Sequence, residues 1–413
     1  MGSARALSTV EGAPSVCVAR LQGAMIDAMP IDLEPLEDPP AYVDSVSGEK
    51  YPISEPRWRS DTGLPLMITA LPGIGRDMID RGRRSLWRYA AALPVEVPDP
   101  ITMGEGLTPL VSRDWRGVPA RFKLEWFSPT GSFKDRGAAV MVSILRAQGV
   151  TRLLEDSSGN GGAAIAAYAA AGGLSAKILV PASTAEDKIV QTRAYGAEIE
   201  RVPGTRQETS DAAERMAARI FYAGHNWQPF FLQGTKTLAY ELWEDLDFNA
   251  PDNVVIPTGA GSNIMGCDIG FSELLSRGEI ARLPRLFAAQ PQNCAPLHAS
   301  FVARSEDLIP VEIRPTIAEG ASIARPVRAR EVLAALRRCG GATVAVSEAE
   351  IEAALFDLSR IGLYAEPTSA LAAAGLTKLI ARGVVQPGET TVVVLTGSGL
   401  KATRRIGELL GGP

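Results

Sequence analysis

Histidine and cysteine are scarce, with two and four copies in a chain of 413 residues. The cysteines (Cys17, Cys267, Cys294 and Cys339) are scattered without paired spacing. That excludes a disulfide framework and reads as buried thiols in a reducing compartment. His225 and His298 have no neighbours in the sequence that suggest a hydrolytic dyad, so both read as structural or interface residues. Excess charge of one sign is also missing: 42 Lys and Arg stand against 47 Asp and Glu, a net charge of −5. With no basic run and no basic patch interleaved with aromatics, nucleic acid is excluded as an expected partner. No apolar stretch is long enough to span a bilayer, and no basic segment leads into an apolar core at the start. Neither membrane insertion nor a signal peptide is expected, and the expected compartment is the cytoplasm.

The length allows a large core and a division into two or three units. Residues 1–41 are rich in Pro, Ala and acidic groups, as in Asp-Leu-Glu-Pro-Leu-Glu-Asp-Pro-Pro at 32–40, and suggest an extended arm. Residues 42–94 open with the outline of a small two-hairpin ribbon. From about residue 95 the pattern repeats strand, loop, helix, which predicts a parallel sheet with right-handed crossovers. Ala176–Pro181 and Ala197–Val202 read as two of its strands.

Most of the functional signal lies at residues 128–137, Ser-Pro-Thr-Gly-Ser-Phe-Lys-Asp-Arg-Gly. Lys134 follows a tight Pro-Thr-Gly turn at the expected start of a helix. There the positive end of the backbone dipole disfavours its ammonium form, and a lysine with a lowered pKa is what imine chemistry needs. The competing reading is a solvated surface lysine.

Three glycine-rich segments stand where a cofactor of that lysine would need them. Asp156-Ser157-Ser158-Gly159-Asn160-Gly161-Gly162 joins a short strand (150–154) to an alanine-rich helix (163–171). It presents bare N–H groups at a helix start. Val254-Val255-Ile256-Pro257-Thr258-Gly259-Ala260-Gly261-Ser262-Asn263 is an apolar strand emptying into small residues, which suits a phosphate. Thr391–Leu395 is a buried-type strand that ends at the hydroxyl of Thr396. Each alone is weak; their order behind one lysine is specific.

That order resembles the pyridoxal-phosphate enzymes of the tryptophan-synthase-β fold type, and within them the threonine synthases. The likeness extends over roughly residues 42–405. It includes Gly-Glu-Gly-Leu-Thr-Pro-Leu at 104–110, Gly-Thr-Lys-Thr-Leu-Ala-Tyr-Glu at 234–241, Glu-Pro-Thr-Ser-Ala at 366–370 and Leu-Thr-Gly-Ser-Gly-Leu-Lys at 395–401. Ser-Leu-Trp-Arg-Tyr at 85–89 looks like the beginning of the catalytic body. The resemblance implies an α/β fold of two doubly wound parallel-sheet domains with pyridoxal phosphate in the cleft between them. The large domain would be 95–145 with 231–413, and the small, mobile one 146–230. A homodimer is expected. Related ribbons can carry paired cysteines for zinc. Here Asp44, Ser47, Ser60 and Gly63 stand near those places, so residues 42–94 should be a metal-free remnant.

The resemblance also implies roles. Lys134 would hold the cofactor as an imine and then move protons at the substrate's Cα and Cβ, with Phe133 packing beside it. Asn160 would bond the cofactor's phenolic oxygen. Gly259, Ala260, Gly261, Ser262 and Asn263 would cradle its phosphate. Thr396, or as runner-up Ser398, would face the pyridine nitrogen through a neutral hydroxyl. Ser157, Ser158 and Gly159 would surround the substrate carboxylate, with Thr108 nearby. Lys236 is the first choice for a substrate phosphate, ahead of Lys188, Arg193 and Arg325.

The pattern departs from threonine synthases at Ser128, Ala260 and Ser398, where the family often has Asn, Asn and His. The expected substrate is an amino acid, phosphorylated in the threonine-synthase reading. β-Replacement or β-elimination on serine, threonine or phosphoserine is the alternative, and a non-catalytic cofactor-binding protein is the third.

Overall fold

The structure is a computed structural model that describes residues 38–411. Cys17 and nearly all of the expected arm lie outside those residues. Strands β1 (Ala41–Asp44), β2 (Lys50–Pro52) and β3 (Leu66–Ile68) form an antiparallel sheet in the order β2-β1-β3. The first expected hairpin is β1–β2, the second is an antiparallel bridge between Arg59 and Pro65 around the turn at Ser60–Leu64, and β3 joins the first into one sheet. Tyr42 of β1 faces Tyr51 on one side and Ile68 on the other. An isolated hairpin is marginal in water, whereas three strands can share one apolar face. That face (Tyr42, Tyr51, Leu66, Ile68) packs into the body, with the rings of Tyr42 and Phe230 5.4 Å apart.

The turns of this sheet are tied by hydrogen bonds. Asp44 accepts from the backbone N–H groups of Val46 (2.9 Å) and Ser47 (3.2 Å) and from the Thr62 hydroxyl (2.8 Å). The Ser60 and Thr62 hydroxyls lie 2.8 Å apart, and Ser60 also accepts from Leu64 N–H at 3.0 Å. Burial alone would raise the Asp44 carboxyl, but hydrogen bonds from Ser60, Val46, Thr62 and Ser47 outweigh it and hold it down at about 2.

Next, β4 (Leu110–Trp115) and β5 (Val118–Leu124) form an antiparallel hairpin at the edge of the main sheet. The chain then leaves that sheet to build a smaller one. Its strands are β6 (Arg152–Glu155), β7 (Ser175–Pro181), β8 (Glu198–Val202) and β9 (Phe221–Tyr222), all parallel in the order β8-β7-β6-β9. It returns with β10 (Asn253–Pro257), β11 (Arg285–Pro291), β12 (Ala342–Val346) and β13 (Thr391–Leu395). These complete a six-stranded sheet in the order β12-β11-β10-β13-β5-β4.

Alternation along the strands sets the layers. Val254, Ile256, Val392 and Val394 belong to one core, while Val255, Val393 and Leu395 belong to another across the sheet. Because both faces are covered by helices, the strands read as continuous apolar runs. The smaller sheet divides likewise, with Leu153, Ile178 and Val180 on one side and Leu154 and Leu179 on the other.

Two glycines set the position of the Lys134 helix (Lys134–Ala147) against the helix Pro229–Thr235. A Cβ on Gly137 would lie 2.5 Å from the Phe231 ring, and one on Gly234 would lie 2.1 Å from the Arg136 carbonyl oxygen. The bare glycines let the two backbones close up, which places Phe231 under the first turn of the Lys134 helix.

Candidate active site

A cleft of about 1260 Å³ opens at the C-terminal ends of β6, β7, β10 and β13, between the elements of the two parallel sheets. This is where open α/β sheets gather their ligand loops. Lys134, Phe133, Ser157, Ser158, Gly159, Asn160, Gly259, Ala260, Gly261, Ser262, Asn263 and Thr396 all line it.

Lys134 is the first residue of its helix, and its ammonium nitrogen has no hydrogen-bond or ion-pair partner among the described residues. Its nearest company is aromatic: Nζ lies 4.7 Å from the Phe133 ring centre and 5.6 Å from that of Phe231. Burial holds its pKa down at about 8, with Arg206 pushing the same way and Glu155 and Glu366 pulling back. Desolvation, more than the helix dipole invoked from sequence, is the leading cause.

Two helices begin at the cleft without a side-chain cap: Asn160–Ala171, preceded by Gly159, and Ser262–Ser276, preceded by Gly261. Gly261 has φ +93°, a left-handed conformation that side chains rarely adopt, and it turns the chain from β10 into its helix. Uncapped first turns present N–H groups to an anion. Beside the second of them, both polar atoms of the Asn263 side chain are buried with no partner among the described residues.

Asn160 donates across the cleft to both carboxylate oxygens of Glu366, at 3.1 and 3.2 Å. Burial raises the Glu366 carboxyl, against the lowering effects of Asn160, Lys401 and Lys134. Thr396 Oγ1 is 3.0 Å from the Ser369 hydroxyl. Ser398 is not among the lining residues; its hydroxyl accepts from Leu400 N–H at 3.2 Å.

Two expected site residues lie elsewhere. Lys236 is fully buried, and its ammonium donates to the Ala92 carbonyl at 2.6 Å and to Glu273 at 2.8 Å. Tyr240 completes the group by donating to Glu273 at 2.6 Å. Thr108 donates to Glu125 at 2.6 Å within a buried network in which Arg136 bonds Glu125 (2.7 Å) and Glu241 (2.9 Å). Both readings are corrected: these residues hold the scaffold and do not line the cleft. Arg193 pairs with Glu186 on the surface and Arg325 is exposed, and neither lines the cleft. Lys188 lines it and pairs with Glu319.

Other lining residues went unassigned in the sequence. Arg206 pairs with Asp156 at 2.6 Å. Lys401 donates to the Thr130 carbonyl at 2.8 Å and to Gln191 at 2.5 Å, which fixes the turn before Lys134. Glu366 and Lys401 belong to the segments 366–370 and 395–401, so their motifs carried a signal for them. His225, read as structural, also lines the cleft, bonded to Glu155. Its partner is 70 residues away in the chain, so no local pattern could have revealed it.

Residues 101–397 match the family described as pyridoxal-phosphate dependent enzyme, and the chain belongs to that family. It is 35% identical to a threonine synthase of Methanosarcina acetivorans, over 77% of this chain and 80% of that one. It is 34% identical to one of Mycobacterium bovis, over 76% and 87%. Among solved structures, a fungal L-serine ammonia-lyase from Rhizomucor miehei superposes with a TM-score of 0.65 at 22% identity, covering 74% of this chain and 98% of that one. The processed form of threonine deaminase isoform 2 from Solanum lycopersicum gives 0.63 at 23%, covering 74% and 83%. The fold is therefore the tryptophan-synthase-β type and the cofactor is pyridoxal phosphate. The cleft fits that group, since it joins an unpartnered lysine to an uncapped helix start beside the orphaned Asn263 side chain.

Proposed function

We propose that this chain is a threonine-synthase-like lyase, which eliminates the γ-phosphate of O-phosphohomoserine and adds water at Cβ to give threonine. The observation that carries this reading is the likeness to threonine synthases, at 34–35% identity over 76–79% of the chain.

When bound, pyridoxal phosphate supplies the electron sink that makes protons at Cα and Cβ removable. Lys134 would tether the cofactor as an imine and then, as a free amine of lowered pKa, carry those protons. Gly259, Ala260, Gly261, Ser262 and Asn263 would hold the cofactor phosphate through the uncapped helix start. Asn160 would orient the phenolic oxygen, and Glu366 would orient Asn160. Thr396, placed by Ser369, would meet the pyridine nitrogen without protonating it. Ser157, Ser158 and Gly159 would take the substrate carboxylate at the other uncapped helix. For the substrate phosphate, Arg206 replaces Lys236, because Arg206 lines the cleft with about a third of its side chain still exposed.

Wider organisation is part of the same reading. Residues 146–230, which contain the whole smaller sheet, would move as a unit over the cleft in a homodimer. Cys267, Cys294 and Cys339 are free and buried, which supports a reducing compartment such as the cytoplasm. Residues 42–94 would need no metal, because Asp44, Ser60 and Thr62 satisfy one another.

Ala260, a cleft residue where threonine synthases often carry Asn, favours the second reading, β-elimination or β-replacement on serine, threonine or phosphoserine. One assay separates them. O-Phosphohomoserine should yield phosphate and threonine in equal amounts, while serine and threonine should yield little ammonia or keto acid. Ammonia release from serine or threonine, with no phosphate released, would overturn the proposal.

A further inference from the structure

The cleft wall holds a buried histidine, bonded to a carboxylate behind it, that has no part in the proposed chemistry so far. His225 lies just after β9 and lines the cleft. Its Nδ1 is 2.9 Å from Glu155 Oε1, and its backbone N–H donates to Glu155 Oε2 at 3.0 Å. Glu155 is the fully buried last residue of β6. With the Glu155 carboxylate as acceptor, the proton would sit on Nδ1 and leave Nε2 as the basic nitrogen. Nε2 has no partner among the described residues.

The imidazole also shares a wall with Lys134. Its ring centre is 5.5 Å from that of Phe231, the ring that lies 5.6 Å from Lys134 Nζ. On its other side it meets the start of the helix Asn160–Ala171, where a Cβ on Gly161 would touch His225 Cε1 at 2.8 Å. The imidazole therefore packs against both the ring beside the reactive amine and the first turn of the helix that follows the loop assigned to the substrate carboxylate.

We infer that His225 Nε2 is the base that takes a proton from water during hydration at Cβ, with Glu155 as its positioning residue. The inference rests on the threonine-synthase reading. Once phosphate has left Cγ, the proton that Lys134 took from Cβ is returned to Cγ, which turns the Cβ–Cγ double bond into a Cα–Cβ one. The water oxygen then forms a bond to Cβ, and the Cα–Cβ π pair moves toward Cα. One water O–H bond breaks as Nε2 accepts the proton, and the ammonium form of Lys134 delivers a proton to Cα. Threonine thus gains OH and H, His225 holds one proton, Lys134 has lost one, and the imidazolium releases its proton to water in the cleft. Four charged groups face the imidazole from the elements packed around it. Burial and then the charge of Lys134 lower its pKa, while Glu155 and Asp156 raise it, and Arg206 is tied to Asp156. Lowering wins, so the ring is a neutral base at neutral pH.

Only two histidines exist in the chain, so imidazole nitrogen NMR of histidine-labelled full-length protein is simple to assign. With or without the cofactor, one ring should be neutral at pH 7 and protonated on Nδ1. Glu155→Gln should mix its tautomers and move the acidic limb of threonine formation to lower pH, which a purely structural role would not do. His225→Asn should slow threonine formation about 100-fold, the lower range for a lost general base. Phosphate release should fall far less, so that the ratio of phosphate to threonine rises above one and keto acid makes up the difference. A His225→Asn enzyme that still forms equal phosphate and threonine overturns the inference, as does a proton on Nε2 in the wild type. A wild type that releases no phosphate overturns the substrate reading and the hydration role together. Should His225→Asn fail to fold, His225→Gln and the wild-type NMR decide the matter.

Discussion

Lys134 and Lys236 each stand in a family-like motif, each lies within the protein, and in each burial lowers the pKa. What surrounds their ammonium groups differs. Lys236 has a carboxylate, a carbonyl and, through Glu273, a tyrosine hydroxyl, all within 2.8 Å of their partners. Lys134 has two aromatic faces and an open cleft. A buried cation with a full set of partners is part of the scaffold. One left unpartnered keeps its nitrogen free for chemistry, and the scaffold must make up the cost of holding it there.

Breaking each member of this comparison should give opposite phenotypes. Lys134→Ala should abolish turnover and the visible imine absorbance, yet leave the melting temperature of the cofactor-free protein within a degree or two. A variant that remains yellow and active would remove Lys134 from the chemistry.

Lys236→Met should do the reverse, leaving the imine absorbance intact but destabilising the fold by about 3 kcal/mol in urea unfolding, because Glu273 is left buried and uncompensated. Adding Glu273→Gln should recover much of that loss. Unchanged stability in Lys236→Met would show that the pair is dispensable. Arg136→Ala, which leaves Glu125 buried without a cation while Glu241 keeps Lys123, should cost about 3 kcal/mol for the same reason.

The two lysines also show how far the sequence could be read. The apolar runs of β7, β10 and β13 were legible because strands covered on both faces have no other reason to be so apolar. The helix starts after Gly159 and Gly261 were legible because glycine turns after buried strands have few uses. Motif membership, by contrast, could not tell a cleft residue from a scaffold one. Lys236 and Thr108 share motifs with the family, but only the crossing of helices decides that their side chains face inward. His225 and Glu155 come together through the crossover between β6 and β9, which no local pattern records. The ribbon's single sheet and its Asp44 knot were hidden similarly, since Ser60 and Thr62 reach Asp44 only after β3 folds back on β1.

Smaller effects sharpen the same contrast between satisfied and waiting groups. Thr396→Ser should keep cofactor affinity, while Thr396→Ala should weaken it by about one hydrogen bond, ~1 kcal/mol, read as roughly a fivefold rise in the cofactor's Kd. Ser398→Ala should leave it unchanged. The opposite pattern would exchange the two hydroxyls.

The smallest effect belongs to the ribbon. The Asp44 carboxyl is depressed from 3.8 to about 2, so its contribution to stability is complete above the higher value and disappears as pH falls through the lower. Acid unfolding between those limits should therefore be shallower in Asp44→Asn than in the wild type. An identical acid limb in both would mean the knot carries no net stability.

Lys134 is the amine that the fold leaves without a hydrogen-bond or ion-pair partner among the described residues, free for the cofactor. Reducing the cofactor-loaded protein with borohydride and mapping the labelled peptide by mass spectrometry tests this most directly. The label should fall on Lys134 alone. A label on Lys188, Lys236 or Lys401 would contradict the account.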